Sequence, residues 1–171
     1  MWENGGAKEP PRPLLPDVSD VAGPCFVGRY AHTLDDKRRV AIPKAFREEL
    51  TPEDGASFFV IPAFDPCLWL FTERRFKELK SRLSKMQDPG YGVGDSKVRA
   101  FRREIFSRCA KLTPDKQSRI ALPPELCKAV GIDKEVVFFG VDERVELWSP
   151  EAEDVKDDPL RLMRLSKELL G

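Results

Sequence analysis

Two short stretches of the chain concentrate groups suited to holding an anion. In LDDKRRVAIPKAF, 34–46, Asp35 stands four residues before Arg39, with Lys37 and Arg38 between them. In LTPDKQSRIALPPEL, 112–126, Asp115 stands four residues before Arg119, with Lys116 and Gln117 between them. Lysine and arginine at this density offer donors whose reach suits phosphates. Arginine also takes a guanine edge bidentately, and glutamine suits an adenine edge. An aspartate four residues ahead of an arginine accepts loop N–H bonds or pairs with the arginine, and so holds the loop in shape. On this reading Lys37, Arg38, Arg39, Lys116, Gln117 and Arg119 are the candidate DNA-contacting residues, while Asp35 and Asp115 organise the loops.

Other chemistries fit less well. Asp35 and Asp36 suggest a carboxylate pair, but adjacent side chains diverge on an extended backbone, and the second stretch keeps only Asp115. There is no serine–histidine–acid pattern and no phosphate-binding glycine loop. His32 is the only histidine, and Cys25, Cys67, Cys109 and Cys127 never approach a C-x-x-C spacing, so neither a metal nor a cofactor is expected. The cysteines read as small buried hydrophobes. The plain alternative for each motif is an intramolecular ion pair that fixes a turn. Two copies at matching positions weigh against that alternative alone, because a duplicated loop on a two-fold scaffold presents paired cationic surfaces to a repeated ligand such as duplex DNA.

The elements that carry the motifs repeat as well. An offset of eighty pairs Asp35 with Asp115, Arg39 with Arg119 and Pro43 with Pro123, and Val40, Ala41 and Ile42 with Ile120, Ala121 and Leu122. FFVIPAFDPCLWLF, 58–71, then matches VVFFGVDERVELWS, 136–149, after a two-residue change of offset. This is an internal duplication. Each copy predicts a strand after the charged loop, a proline in the first turn of a short helix (PKAFREEL, PPELCKAV), and two strands joined by a turn. Gly131 suits the C-terminal cap of the second helix. Before the first loop, CFVGRYAHTLDD predicts a short strand, with Gly28 permitting a bulge or a close backbone approach.

Five segments follow. Residues 1–24 form a flexible Pro/Gly-rich extension and 25–71 the first copy; 72–111 is a basic helical linker; 112–149 is the second copy, and 150–171 an acidic, then amphipathic, tail. In the linker, Phe76, Leu79, Leu83 and Met86 recur at helical spacing with Thr72 as cap, DPGYGVGD breaks the pattern, and Val98, Phe101, Ile105 and Phe106 resume it. Two antiparallel helices are the economical reading. The tail ends in a helix bearing Leu162, Leu165, Leu169 and Leu170, able to dock on the core or on a neighbouring subunit.

The chain has 171 residues, 41% hydrophobic and 34% charged, with a formal net charge of zero. No global basic field argues for nucleic acid, so the local asymmetry matters. The linker holds twelve Lys and Arg against five Asp and Glu, which suits phosphate contact, a solvated helix surface or a subunit contact. Without a secretory h-region or an apolar run near membrane-spanning length, the chain reads as soluble and intracellular, with no membrane partner.

These stretches together, FVGRYAHTLDDKRRVAIPKAFR with DPCLWLF and LTPDKQSRIALPPEL with VELW, resemble the MraZ family over Cys25 to about Ser149. The resemblance implies an α+β fold: a duplicated swapped-hairpin β-barrel of the AbrB type, an intrachain pseudo-dimer with a helical linker between its halves. It implies a non-enzymatic transcriptional regulator, expected to repress, that assembles as a ring-forming homo-oligomer and binds duplex DNA at promoter repeats of the division and cell-wall gene cluster, in the cytoplasmic nucleoid. Asp35 and Arg39 match the family motif in the first copy, Asp115 and Arg119 in the second, and Lys37 matches a basic position. The family usually has glycine before the motif arginine, where this chain has Arg38 and Ser118. Either the loop tolerates a side chain at positive φ or its shape differs. Gln117 replaces a commonly basic position, which favours the first loop as the stronger contact. The other reading of the residues is an oligomeric protein-interaction module that controls an acidic protein partner without DNA.

Overall fold

The runs FFVI, CLWLF and VVFF are apolar at consecutive positions, as strands covered on both faces must be. A computed structural model describes residues 23–85, 96–152, 155, 156, 158 and 160–170. In chain order the elements are β1 (Phe26–Thr33), β2 (Arg39–Ala41), α1 (Lys44–Glu48), β3 (Phe58–Pro62), β4 (Cys67–Thr72), α2 (Glu73–Lys85), α3 (Ser96–Arg108), β5 (Ala110–Leu112), β6 (Arg119–Ala121), α4 (Pro124–Ala129), β7 (Glu135–Asp142), β8 (Arg144–Trp148) and α5 (Arg161–Leu170). The described residues thus form a mixed α/β chain: a six-stranded antiparallel sheet ordered β1-β7-β8-β4-β3-β5, a two-stranded ribbon β2-β6, and five helices.

Strand alternation sorts the apolar side chains into two layers. Phe58, Val60, Leu68, Leu70, Val136, Phe138, Val145 and Leu147 face the main core, closed on its other side by Val40, Ile42, Ile120 and Leu122 of the ribbon and the segments that follow it. On the opposite face Ile61 and Phe71 pack under Phe76 of α2, with Ile105 and Phe106 of α3, while Cys67, Val137 and Trp148 pack with Val155.

Strand partners cross between the sequence copies. β1 pairs with β7 and β5 with β3, and the registers agree: Tyr30 opposes Phe138 and His32 opposes Val136, while Ala110 opposes Val60 and Leu112 opposes Phe58. β2 pairs with β6 and β4 with β8, also across the copies. The first strand is longer than expected, eight residues, because it pairs with β7 along its whole length. The register is continuous through Gly28, so there is no bulge. Gly28, at φ 99°, is closely approached by a side chain, since a Cβ there would lie 2.9 Å from the Tyr30 hydroxyl, and the close backbone approach is at Gly140, where a Cβ would lie 2.5 Å from the Phe26 and Val27 backbone.

Pro43 and Pro123 stand at the N-caps of α1 and α4, one residue before the expected first turn, with extended ψ of 136° and 128°. The cap position needs no intrahelical N–H, so a proline costs nothing there, and Pro124 takes the first helical position of α4. Gly131, at φ 74°, follows the end of α4 as expected. Thr72 caps α2, its Oγ1 accepting from Arg75 N at 3.3 Å. Phe76 meets Phe106, and Arg102 Nη1 donates to the Leu83 carbonyl, so α2 and α3 run antiparallel. Met86, the DPGYGVGD break and residues 1–22 of the extension lie outside the described residues. The tail helix forms as α5, and Leu162, Leu165, Leu169 and Leu170 are exposed on it.

Candidate nucleic-acid interface

The two motif loops lie side by side because each leads into one strand of the β2-β6 ribbon, in which Val40 opposes Ile120. Both strands are three residues long, and the chain locks them further from outside the ribbon. Ile42 N donates to the Ser118 carbonyl and Leu122 N to the Arg38 carbonyl, each at 3.0 Å. Apolar burial of Val40 and Ile120 thus fixes where the charged loops stand.

Within each loop the aspartate does the same work. Asp35 Oδ1 accepts from the backbone N–H of Lys37 at 2.9 Å and of Arg39 at 2.8 Å, and Oδ2 accepts from Arg39 Nε at 2.8 Å. Asp115 repeats the pattern with Gln117 N at 2.9 Å, Arg119 N at 3.0 Å and Arg119 Nε at 2.8 Å. Backbone bonds close both turns, from Arg38 N to the Asp35 carbonyl and from Ser118 N to the Asp115 carbonyl. The arginine backbone N–H first, then the arginine guanidinium and the N–H of Lys37 or Gln117, hold each aspartate carboxyl below its usual range.

The loops are also joined to each other. Arg119 Nη1 lies 3.7 Å from Asp35 Oδ2, and Arg39 Nη1 lies 4.0 Å from Asp115 Oδ2, so two aspartates and two arginines form one alternating network across the copies. The arginines keep 33% and 28% of their side-chain surface exposed, enough to meet a ligand at one edge. The motif is therefore an ion pair in each loop and a bridge between loops.

Arg38 and Ser118 both adopt φ 58°. The loop keeps the left-handed backbone for which glycine is the least costly residue, and carries a side chain there. The two side chains then part company. Arg38 Nη2 donates to the Ile132 carbonyl of the other copy at 3.1 Å, and its Nε is buried without an acceptor. Ser118 accepts from Arg47 Nη1, which reaches over from α1 at 3.4 Å. Lys37, Lys116 and Gln117 are exposed, and among the described residues no carboxylate pairs with Lys37 or Lys116.

Sequence reasoning missed the cross-loop pairing and Arg47. The signal for Arg47 lay in the offset of eighty, which sets it against Cys127 just as it sets Arg38 against Ser118. Part of the linker's basic charge is paired within the molecule: Arg75 pairs with Glu78 and Lys111 with Glu73, both acids of the linker itself, and Arg74 lies 3.3 Å from buried Asp54 outside it. Cys67 and Cys127 are buried as expected, but Cys25 is exposed, because it precedes the first paired residue of β1. Burial pushes the Cys67 thiol up to about 12 and the Cys109 thiol up to about 11, leaving both protonated at neutral pH. No helix among the described residues is long and apolar enough to cross a membrane.

The family model described as "MraZ protein, putative antitoxin-like" matches residues 25–89 and 105–152. The chain belongs to the MraZ family. Relatives named "Transcriptional regulator MraZ" include one from Carboxydothermus hydrogenoformans, 40% identical over 126 residues, which are 74% of this chain and 82% of that protein. Another, from Moorella thermoacetica, is 39% identical over 124 residues, 72% of this chain and 80% of that protein. A third, from Clostridium acetobutylicum, is 36% identical over 126 residues, with the same coverage as the first. Both motif loops lie inside the family match, and α5 lies beyond it.

Proposed function

We propose that this MraZ-family chain is a sequence-specific DNA-binding transcriptional regulator, a repressor of the division and cell-wall gene cluster. It acts in the nucleoid and binds promoter repeats as an oligomeric ring through its two Asp-x-x-x-Arg loops. The relatives' shared name supports regulation of transcription over any catalytic role. The observation that carries the DNA reading is the pair of braced loops standing side by side, with Lys37 and Lys116 exposed on them and, among the described residues, in no ion pair. Lys37, Lys116 and Gln117 meet the duplex first, and Arg39 and Arg119 meet it with the edges their aspartates leave open. In the same reading the fold is the duplicated AbrB-type swapped-hairpin barrel, with halves at 25–71 and 112–149 joined by the linker 72–111. The matching registers of β1 on β7 and β5 on β3 support it. Several subunits on successive repeats supply by multivalency the affinity that one loop pair lacks.

A protection footprint on the chain's own upstream region tests this. Protection is expected to recur in repeated units. Binding to a duplex with intact repeats should exceed binding to a scrambled duplex by at least about a thousandfold, and weaken steeply as salt rises. Equal affinity for both duplexes, or binding confined to an acidic protein competitor, sinks the reading.

A further inference from the structure

We propose that Arg47 of α1 is a phosphate-contacting residue of the second loop, supplying in trans the guanidinium that Ser118 does not carry. The inference rests on the DNA-binding reading above and adds to it a residue outside both motifs.

The pseudo-two-fold relation of the copies creates two equivalent corners, each made by one loop and the short helix of the other copy. At the first corner, loop residue Arg38 reaches Ile132, whose own N–H bonds back to the Cys127 carbonyl of α4 at 2.9 Å. At the second corner, helix residue Arg47 reaches Ser118. The offset of eighty exchanges the two pairs: Arg38 corresponds to Ser118, and Cys127 to Arg47. In each sequence-equivalent pair there is one arginine, from the loop at one corner and from the helix at the other, and only the helix position changes its setting: Cys127 is buried in the core whereas Arg47 is exposed. One guanidinium per corner is retained although neither position keeps its residue type.

The two arginines are not equally free. Arg38 spends a donor on a carbonyl and lies half-buried. Arg47 is exposed, forms no ion pair among the described residues, and makes only a long bond to a hydroxyl, which leaves its charge and most of its donors open. The second loop is the copy in which Gln117 and Ser118 leave Lys116 as the only basic residue between Asp115 and Arg119, so Arg47 stands where cationic charge is short. A guanidinium that is exposed, fixed at one edge and set beside a basic loop is fitted to a phosphate oxygen.

The test uses the full chain and a duplex that it enriches from a randomised pool, with a scrambled duplex of equal composition, followed by fluorescence anisotropy over a salt series. Arg47→Ala is expected to weaken binding to both duplexes about fivefold, and to make the slope of log affinity against log salt shallower by about 0.9. Arg47→Lys should keep the wild-type slope. Ser118→Arg placed in the Arg47→Ala background should restore it, since Arg38 shows that arginine fits at φ 58°. Ser118→Ala should leave the slope unchanged. Thermal melting of each variant reports folding, and if Arg47→Ala melts early the Lys variant and the Ser118→Arg rescue decide the matter. Wild-type affinity and slope in Arg47→Ala would overturn the proposal. So would a loss that neither Arg47→Lys nor Ser118→Arg repairs, since that would make Arg47 a brace of the loop alone. If the pool yields no enriched duplex, the DNA reading falls and this proposal with it, an outcome distinct from selective failure at Arg47.

Discussion

The loops at Asp35–Arg39 and Asp115–Arg119 close with the same backbone bonds but carry different side chains at the two positions before the arginine: Lys37-Arg38 in one, Gln117-Ser118 in the other. Their hydrogen bonds agree to within 0.2 Å, and Arg38 and Ser118 have the same φ. Geometry and chemistry are thus assigned to different residues. The aspartate and arginine make the loop, and the residues between them decide what it presents. The copies can diverge in contact while remaining alike in shape.

The largest effect is expected from removing what the loops share. Asp35→Ala and Asp115→Ala each leave two loop amides and a guanidinium without their acceptor, so each should lower duplex affinity at least about tenfold although a negative charge is lost. The double variant should bind no repeat specifically. A gain in affinity in either single variant would make that aspartate a repulsive neighbour and end the comparison. Acid probes the same feature without mutation. Both carboxyls titrate below the usual aspartate range, so the stability they give the loops is complete above that range and disappears only as pH falls through the lowered folded-state values. Carboxyl titration by NMR should show both groups ionised where ordinary aspartates are already protonating, and the amides of residues 37, 39, 117 and 119 should lose exchange protection together below that point.

What the sequence made legible follows from which forces are local. The strands and the prolines beside α1 and α4 were readable because spacing and residue type determine them, and the aspartate spacing pointed to the hydrogen bonds that Asp35 and Asp115 make within their loops. Strand partners were a different matter: nothing in CFVGRYAHT says that β1 runs beside β7, and its extent was underestimated because that partner lies over a hundred residues away. The bridge between loops was hidden for the same reason, since Asp-x-x-x-Arg reads as complete within one loop. Arg47 was not legible because it lies outside the charged stretch between Asp35 and Arg39, and its neighbour Ser118 is adjacent only across the ribbon.

A smaller effect should come from exchanging what the loops do not share. Gln117→Lys adds a cation to the second loop, and is expected to raise affinity for any duplex about threefold and steepen the salt slope by about 0.9, while narrowing the preference for the selected sequence. Lys37→Gln should do the reverse. Anisotropy on selected and scrambled duplexes separates the two terms. If Gln117→Lys strengthened only the selected duplex, position 117 would be reading a base edge rather than a phosphate, and the second loop would be the more specific of the two.

The smallest effect concerns the residue before each arginine. At φ 58° an L-residue costs more than glycine, so Ser118→Gly should stabilise the fold by about 0.5 to 1 kcal/mol, raising the melting temperature by roughly 2 °C. That figure is net of the greater freedom of glycine in the unfolded chain, about 0.4 to 1 kcal/mol against about 1 to 2 kcal/mol of left-handed backbone cost, and of the long bond from Arg47. Arg38→Gly gains the same backbone relief but gives up the bond to the Ile132 carbonyl; it also removes a buried Nε that has no acceptor. The two changes at Arg38 oppose each other, so Arg38→Gly should gain less than Ser118→Gly, and the gap measures what the bond across the copies is worth beyond the burial of its guanidinium. Equal gains would mean that the Ile132 bond contributes nothing net. A loss in Ser118→Gly would mean that the left-handed backbone costs serine less than glycine's extra freedom costs in the unfolded chain.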